Sequence, residues 1–318
     1  MIDSIRNQGI FVAGHRGLVG SALVRILQDR GYTNIITAPR SELDLCDVNA
    51  VKDFFKNQKP YGVILAAAKV GGIIANNELR ADFIFDNLQI QNNVIWQAHL
   101  NDVKRLVFLG SSCIYPKEAP QPIQESSLLT APLEYTNRPY AIAKIAGMEL
   151  IDSLRIQHHR DYFSVMPTNL YGPGDNYHPM HSHVLPGLVR RFCEAKASGL
   201  SEVVVWGSGK PKREFMHSND AAAAIIQLYE SLPADYFNSD WSHINIGSGQ
   251  EVSIRELAEL IAELVGYEGK IKFDQTKPDG TMRKRLDCRI IESFGIKPSL
   301  GLREGIKLAV SEFNSKST

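Results

Sequence analysis

Short, unbroken apolar runs alternate along this chain with longer stretches whose apolar residues recur every three to four positions. Ile10-Phe11-Val12-Ala13 reads as a buried strand, and a helical period runs from Leu18 to Arg30. Asn34 to Thr37, Val63 to Ala68, Arg105 to Leu109 and Tyr162 to Met166 read as further strands, with helical periods over Ala81 to Leu100 and Tyr140 to Leu154 between them. Strands without polar alternation are expected where helices cover both faces of a parallel sheet. Strict alternation of strand and helix predicts an α/β, doubly wound parallel (Rossmann) sheet. Beyond about residue 172 the rhythm changes, at the turn-dense Tyr171-Gly172-Pro173-Gly174-Asp175-Asn176. Helices are expected over Val184 to Ala197, Asp220 to Glu230, Ile254 to Val265 and Arg303 to Phe313, and strands over Val203 to Trp206, His243 to Ile246 and Ile271 to Phe273. The pattern divides the chain into a sheet domain and a smaller interleaved C-terminal α/β lobe. The first takes 1–172 plus returning segments near 214–247, the second 173–213 and 248–318.

Composition narrows the function classes. The 318 residues carry 35 Lys+Arg against 35 Asp+Glu, a formal net charge of zero, which argues against a nucleic-acid binder or a polybasic membrane-surface binder. Cys46, Cys113, Cys193 and Cys288 lie far apart with no CxxC pair, a spacing that suits neither a disulfide framework nor a zinc site and points to a reducing compartment. MIDSIRNQG lacks an apolar signal region, and the longest apolar runs, about eight residues, are too short to span a bilayer. A soluble cytoplasmic protein is expected.

Gly14-His15-Arg16-Gly17-Leu18-Val19-Gly20 is GxxGxxG set directly between the first strand and the first helix. In that context glycines permit the tight turn and a close backbone approach to a pyrophosphate, and the helix N-terminus attracts the anion. A site preferring NAD places Asp or Glu at the end of the second strand. This chain has Thr37-Ala38-Pro39-Arg40 there, with Arg16 inside the glycine loop. Two guanidiniums suit a 2′-phosphate, so NADP(H) is expected. Asp47 is a candidate for the adenine edge.

Tyr140-Ala141-Ile142-Ala143-Lys144 is Tyr-x3-Lys on a helix, with both side chains on one face a turn apart. A nearby ammonium is expected to lower the Tyr140 pKa toward the working range. Leu109-Gly110-Ser111-Ser112-Cys113 falls at the C-terminal end of the fourth strand, the edge where ligands bind in such sheets. The trio His178, His181 and His183 has no paired acid or cysteine at zinc spacing, so no metal is expected.

Together GHRGLVG, LAAAKVGGI, LGSSCIYP, NRPYAIAKIAG, SVMPTNLYGP and KPDGT resemble the extended short-chain dehydrogenase/reductase family, and within it the GDP-sugar epimerase–reductases, from about residue 9 to beyond 310. The resemblance implies inversion at C3 and C5 of GDP-4-keto-6-deoxy-D-mannose, then NADPH-dependent reduction of the C4 ketone to give GDP-L-fucose. It implies Ser111 and Tyr140 on the C4 oxygen and Lys144 tuning Tyr140 and binding the nicotinamide ribose. It further implies Cys113 as base, His183 as acid, and cofactor contacts from Leu109, Gly110, Pro167, Thr168, Asn169, Leu170 and His183. In the second lobe it implies Arg191, Trp206, Arg213 and Asp279 on the GDP-sugar. Lys210, Lys212, Arg283, Lys284 and Arg285 add positive charge nearby, several of them as solvated loop. A homodimer is implied through the helices around 81–100 and Tyr140. Two alternatives stay open: the same chemistry on a GDP-4-keto-6-deoxy-heptose, and a non-catalytic dinucleotide sensor. Ser111-Ser112-Cys113 replaces the Thr-Asp-Glu of the family's dehydratases, which counts against water elimination.

Overall fold

Apolar strands buried on both faces build the centre of the molecule. The computed structural model describes residues 5–179, 181–237, 241–277 and 279–316, so Met180 and Pro278 of the motifs above, and the first four residues, lie outside the described residues. Strands β1 (Ile10–Ala13) and β3 (Gly62–Leu65) are buried at every position, as expected when neither face of a sheet meets water. With β2 (Ile35–Ile36), β4 (Arg105–Leu109) and β5 (Asp161–Pro167) they form one sheet. The chain then leaves it through β6 (Asn169–Tyr171), β7 (Glu202–Trp206) and β8 (Lys212–His217), and β9 (His243–Ile246) returns to complete six strands in the order β2-β1-β3-β4-β5-β9. Every pairing is parallel. The chain steps outward from β1 to β2 and then back past β1 to β3, so winding reverses beside the C-terminal end of β1 and opens a crevice there.

Helices pack around the sheet and around a second core. They are α1 (Leu18–Asp29), α2 (Val48–Gln58), the short α3 (Ile73–Glu78), α4 (Arg80–Leu100), α5 (Arg138–His158), α6 (Val184–Ala197) and α7 (Ser218–Ser231). Within this set α4 packs on α5 with α2 beside it, and α1 packs on α7. Further on come β10 (Glu251–Ser253), α8 (Ile254–Val265), β11 (Lys270–Asp274), β12 (Arg283–Lys284), α9 (Arg289–Ser293) and α10 (Leu302–Lys316). Leu188 and Phe192 of α6, Leu257 and Ile261 of α8 and Ile306 of α10 form a second apolar core, separate from the sheet core around Phe11, Phe108 and Ile225. Ser253 and Glu256 close a capping box at the start of α8 and Gly266 ends it at φ 72°, which is why its limits follow from sequence.

The hydrophobic pattern does not predict β8, whose sequence KREFMH is half polar. It pairs with β6, β10 and β12 in a small sheet at the seam of the two cores, with Phe215 in one core and Met216 in the other. Glu214 between them and Arg213 is fully buried. Its carboxylate accepts from the Gly249 and Leu286 amides, at 2.7 and 2.9 Å, and its carbonyl accepts from the Thr168 and Asn169 side chains. Burial raises its pKa, which those amides oppose. One residue thus fastens the end of β5 to the segments at Gly249 and Leu286.

Candidate active site

The crevice beside β1 begins with the glycine loop. Gly14 has φ 87°, and a Cβ there would lie 2.7 Å from the Ala67 backbone. A Cβ on Gly20 would stand 2.0 Å from the Gly14 carbonyl, so α1 packs directly on the loop only because both positions lack side chains. Gly17 caps α1 without a side-chain hydrogen bond, and the first turn holds no acidic residue. The free N–H groups and positive helix end are therefore left for an anion, as a dinucleotide pyrophosphate requires. The residues fit that group. Burial and then Arg16 lower the pKa of His15, and Glu42 opposes them, so the loop after β2 borders the glycine loop. Arg40 lies exposed in that loop, 3.4 Å from Asp44. Asp47 is the N-cap of α2, its Oδ1 accepting from the Asn49 and Ala50 amides at 2.8 and 3.1 Å, so a role at the adenine edge falls to its other oxygen.

At the end of β4 the chain turns through Gly110 into a short 3₁₀ turn. Ser111 caps this turn, its hydroxyl accepting from the Cys113 amide at 3.2 Å. Tyr140 projects from the first turn of α5 and faces the Ser111 side chain, with Phe83 edge-on against its ring at 6.3 Å. Burial raises the Tyr140 pKa well above the usual range and Cys113 adds to the effect; the Ser111 side chain opposes both. Lys144, one turn on, donates to the Leu109 carbonyl at 2.8 Å and lies 4.6 Å from the Phe108 ring and 5.9 Å from the Tyr140 ring. Burial lowers its pKa to about 7. The expectation that an ammonium depresses the Tyr140 pKa is thereby corrected. Desolvation disfavours both charged forms, and the amine is turned to a carbonyl below the ring.

Cys113 is half-buried in a small cleft lined also by Tyr115, Lys117, Glu134, Asn137 and Lys284. The Lys284 amine lies 3.5 Å from its sulfur. His183 caps α6 with its ring open to solvent, yet the protein around it lowers its pKa by desolvation. Its segment is anchored where the Gly72 amide donates to the His181 carbonyl at 3.1 Å. His178 and His181 stack on each other at 4.5 Å. Among the described residues no three His, Cys, Asp or Glu are grouped to hold a metal.

The second lobe supplies a basic and aromatic wall. Arg191 of α6 donates to the Val204 carbonyl at 3.2 Å, and its guanidinium lies 5.5 Å from the Trp206 ring, which is 44% exposed and so is not core packing. Arg213 of β8 donates to the Thr281 and Lys212 carbonyls. Burial lowers the pKa of both arginines, and Arg213 lies within electrostatic reach of Cys113, so this wall adjoins the thiol. Asp279 accepts from the amide and hydroxyl of Ser208 at 2.8 and 2.7 Å. Pro167, Thr168, Asn169 and Leu170 run from β5 into β6 across the seam, held by Glu214. Within the Arg283-Lys284-Arg285 run, read as charge near this wall and in part as solvated loop, Lys284 has the Cys113 thiol as its partner.

Residues 10–247 match the model of the NAD dependent epimerase/dehydratase family. GDP-L-fucose synthase 1 of Arabidopsis thaliana is 59% identical over 95% of this chain and 92% of its own. GDP-L-fucose synthase of Escherichia coli (strain K12) is 54% identical over 94% of each. Among solved structures, a GDP-mannoheptose C4 reductase from Campylobacter jejuni with NADP bound superimposes with a TM-score of 0.89 at 38% identity, covering 97% of this chain and 99% of that one. Motifs, fold and these relatives agree: the chain belongs to the NAD dependent epimerase/dehydratase family and, within it, to the GDP-L-fucose synthases.

Proposed function

We propose that this chain is an NADPH-dependent epimerase–reductase converting GDP-4-keto-6-deoxy-D-mannose to GDP-L-fucose. The observation that carries the reading is the placing of Ser111 and Tyr140 together beside Cys113 at the sheet's C-terminal edge. Relatives at 54% and 59% identity with that printed name support it. A C4 ketone acidifies the hydrogens on C3 and C5, so one pair of donors on the C4 oxygen serves both inversions and the reduction. Ser111 and Tyr140 are those donors. Cys113 takes the proton from one face, its C–H electron pair moving to the C4 oxygen, and His183 returns a proton to the other face. NADPH, when bound, supplies the hydride. Tyr140, held protonated by burial, gives its proton to the C4 oxygen.

The remaining roles follow the two cores. The sheet domain binds the dinucleotide through Gly14 to Gly20, with Arg16 and Arg40 toward the 2′-phosphate and Leu109, Gly110 and Pro167 to Leu170 along the crevice. Lys144 meets the nicotinamide ribose. The second lobe binds GDP-sugar, with Arg191 and Arg213 on the diphosphate, Trp206 under a flat ring and Asp279 on hydroxyls. A homodimer is supported by Phe85, Trp96, Leu100, Ile142 and Ile156, all large, apolar and exposed on the packed pair α4 and α5; light scattering that gave only monomer would refute it. A cytoplasmic site is supported by four unpaired thiols. Among the described residues no helix is long and apolar enough to cross a membrane.

The test is purified protein with GDP-4-keto-6-deoxy-D-mannose and NADPH, following NADPH absorbance and product stereochemistry. Oxidation of NADPH without inversion at C3 and C5 would reject the epimerase half. The likeness to the heptose reductase favours a second reading, in which the sugar is a GDP-4-keto-6-deoxy-heptose. A higher kcat/KM for that sugar in direct competition would establish it.

A further inference from the structure

We propose that Lys284 is the positioning residue that holds the Cys113 sulfur as a thiolate and aims it at the sugar carbons. This rests on the epimerase reading above. The Lys284 amine lies 3.5 Å from the Cys113 sulfur, within reach of an N–H···S bond. Strand alternation explains why it points there. Successive side chains of a strand face opposite sides, so Arg283 turns outward to Glu251, at 2.8 Å, and Lys284 turns inward to the thiol. Glu251 also takes Lys212, at 3.7 Å. Among the described residues no carboxylate is paired with Lys284.

The backbone around Lys284 is fixed from both sides. Lys284 pairs with Arg213 across β12 and β8, and the next residues are held where the Ile123 amide donates to the Arg285 carbonyl and the Leu286 amide to Glu214. The amine therefore approaches the sulfur from a strand, whereas Cys113 itself sits on a 3₁₀ turn that Ser111 caps. The groups facing the thiol from each element are the Lys284 cation from β12, the Arg213 cation from β8 and the Tyr140 phenol from α5. The cleft also contains Lys117, Arg283 and one carboxylate, Glu134, which accepts from the Thr136 hydroxyl and the Asn137 amide. Positive charge dominates around the sulfur.

A charge-assisted hydrogen bond favours the thiolate over the thiol, and only the thiolate is a base. In the step, the Cys113 thiolate accepts the proton from C3 or C5 and becomes a thiol, and the C–H electron pair moves to the C4 oxygen. Lys284 stays an ammonium throughout and transfers nothing. Its bond to sulfur weakens as the thiol forms and is restored when that proton leaves to solvent.

The experiment is iodoacetamide labelling of the full chain without substrate, quantified at Cys113 by mass spectrometry, in wild type, Lys284→Met and Lys284→Arg. At neutral pH labelling of the Met variant should fall about tenfold, the ratio for one unit of differential interaction. The Arg variant should regain most of it, and higher pH should return the Met variant to the wild-type rate. Deuterium incorporation at C3 and C5 from heavy water should fall in parallel, with NADPH affinity and unfolding temperature unchanged. Equal labelling of Met variant and wild type would overturn the proposal even if turnover fell, because Lys284 would then serve the substrate alone. Reduced labelling with normal exchange would overturn it too. A wild type that labels rapidly yet incorporates no deuterium would reject the epimerase reading while leaving the Lys284–Cys113 pair to be decided by labelling.

Discussion

The two ends of the cleft are built from different materials. At the proposed dinucleotide end most groups are backbone, a glycine turn at φ 87°, an α1 terminus with no acidic or capping side chain, and strand ends, with Arg16, Arg40 and Lys144 as the added side chains. At the sugar-nucleotide end they are side chains, and each already has an internal partner. Asp279 is on Ser208, Arg191 on Val204, and Arg213 on Thr281. A backbone site is formed before the ligand arrives, whereas a side-chain site of this kind must exchange one set of partners for another. Only the surplus of the new contacts over the old appears as affinity.

The largest effect expected is at the junction of the two ends. Tyr140→Phe should lower turnover by about 10³-fold, within the range for a lost general acid, and leave NADPH affinity unchanged by titration. A variant with normal turnover would remove the junction altogether. Next, Arg191→Ala should raise the KM for GDP-sugar roughly tenfold to a hundredfold, as for loss of a charged hydrogen bond, with the NADPH KM constant. Equal rises in both would break the division between ends. Arg40→Ala should raise the NADPH KM about tenfold and spare that for NADH, which steady-state kinetics with each cofactor will show.

The smallest effect is a pH dependence of stability. Burial holds the Lys144 amine at about 7, below its unfolded value of 10.5, so between these values the unfolded chain binds the extra proton. Stability therefore rises with pH across that window, by about 1 kcal/mol from pH 7 to 8. Lys144→Met, unfolded thermally at both values, should lose that rise; an unchanged slope would refute it.

Legibility followed the same contrast. Strands in the large sheet are mostly apolar and buried, and β4 and β9 begin and end where the pattern puts them. So do α6 and α8. The small sheet at the seam was not legible, because β6, β10 and β12 have only three, three and two residues and β8 is half polar. Helix α2 was hidden for another reason: Asp47 reads as a ligand group, and its role as the helix's cap is not visible from that reading. In the site, spacing places Tyr140 and Lys144 on one face but says nothing of where a buried amine turns. Lys284 sits in a basic run that reads as solvated until β12 gives its side chains opposite directions.

Helix α6 sets a length scale. His183 caps it and Arg191 follows about two turns later, so their backbone positions are fixed about 12 Å apart along one rod. Under the roles proposed above, that rod would act as a gauge for the substrate, with the reacting sugar at one end and the diphosphate at the other.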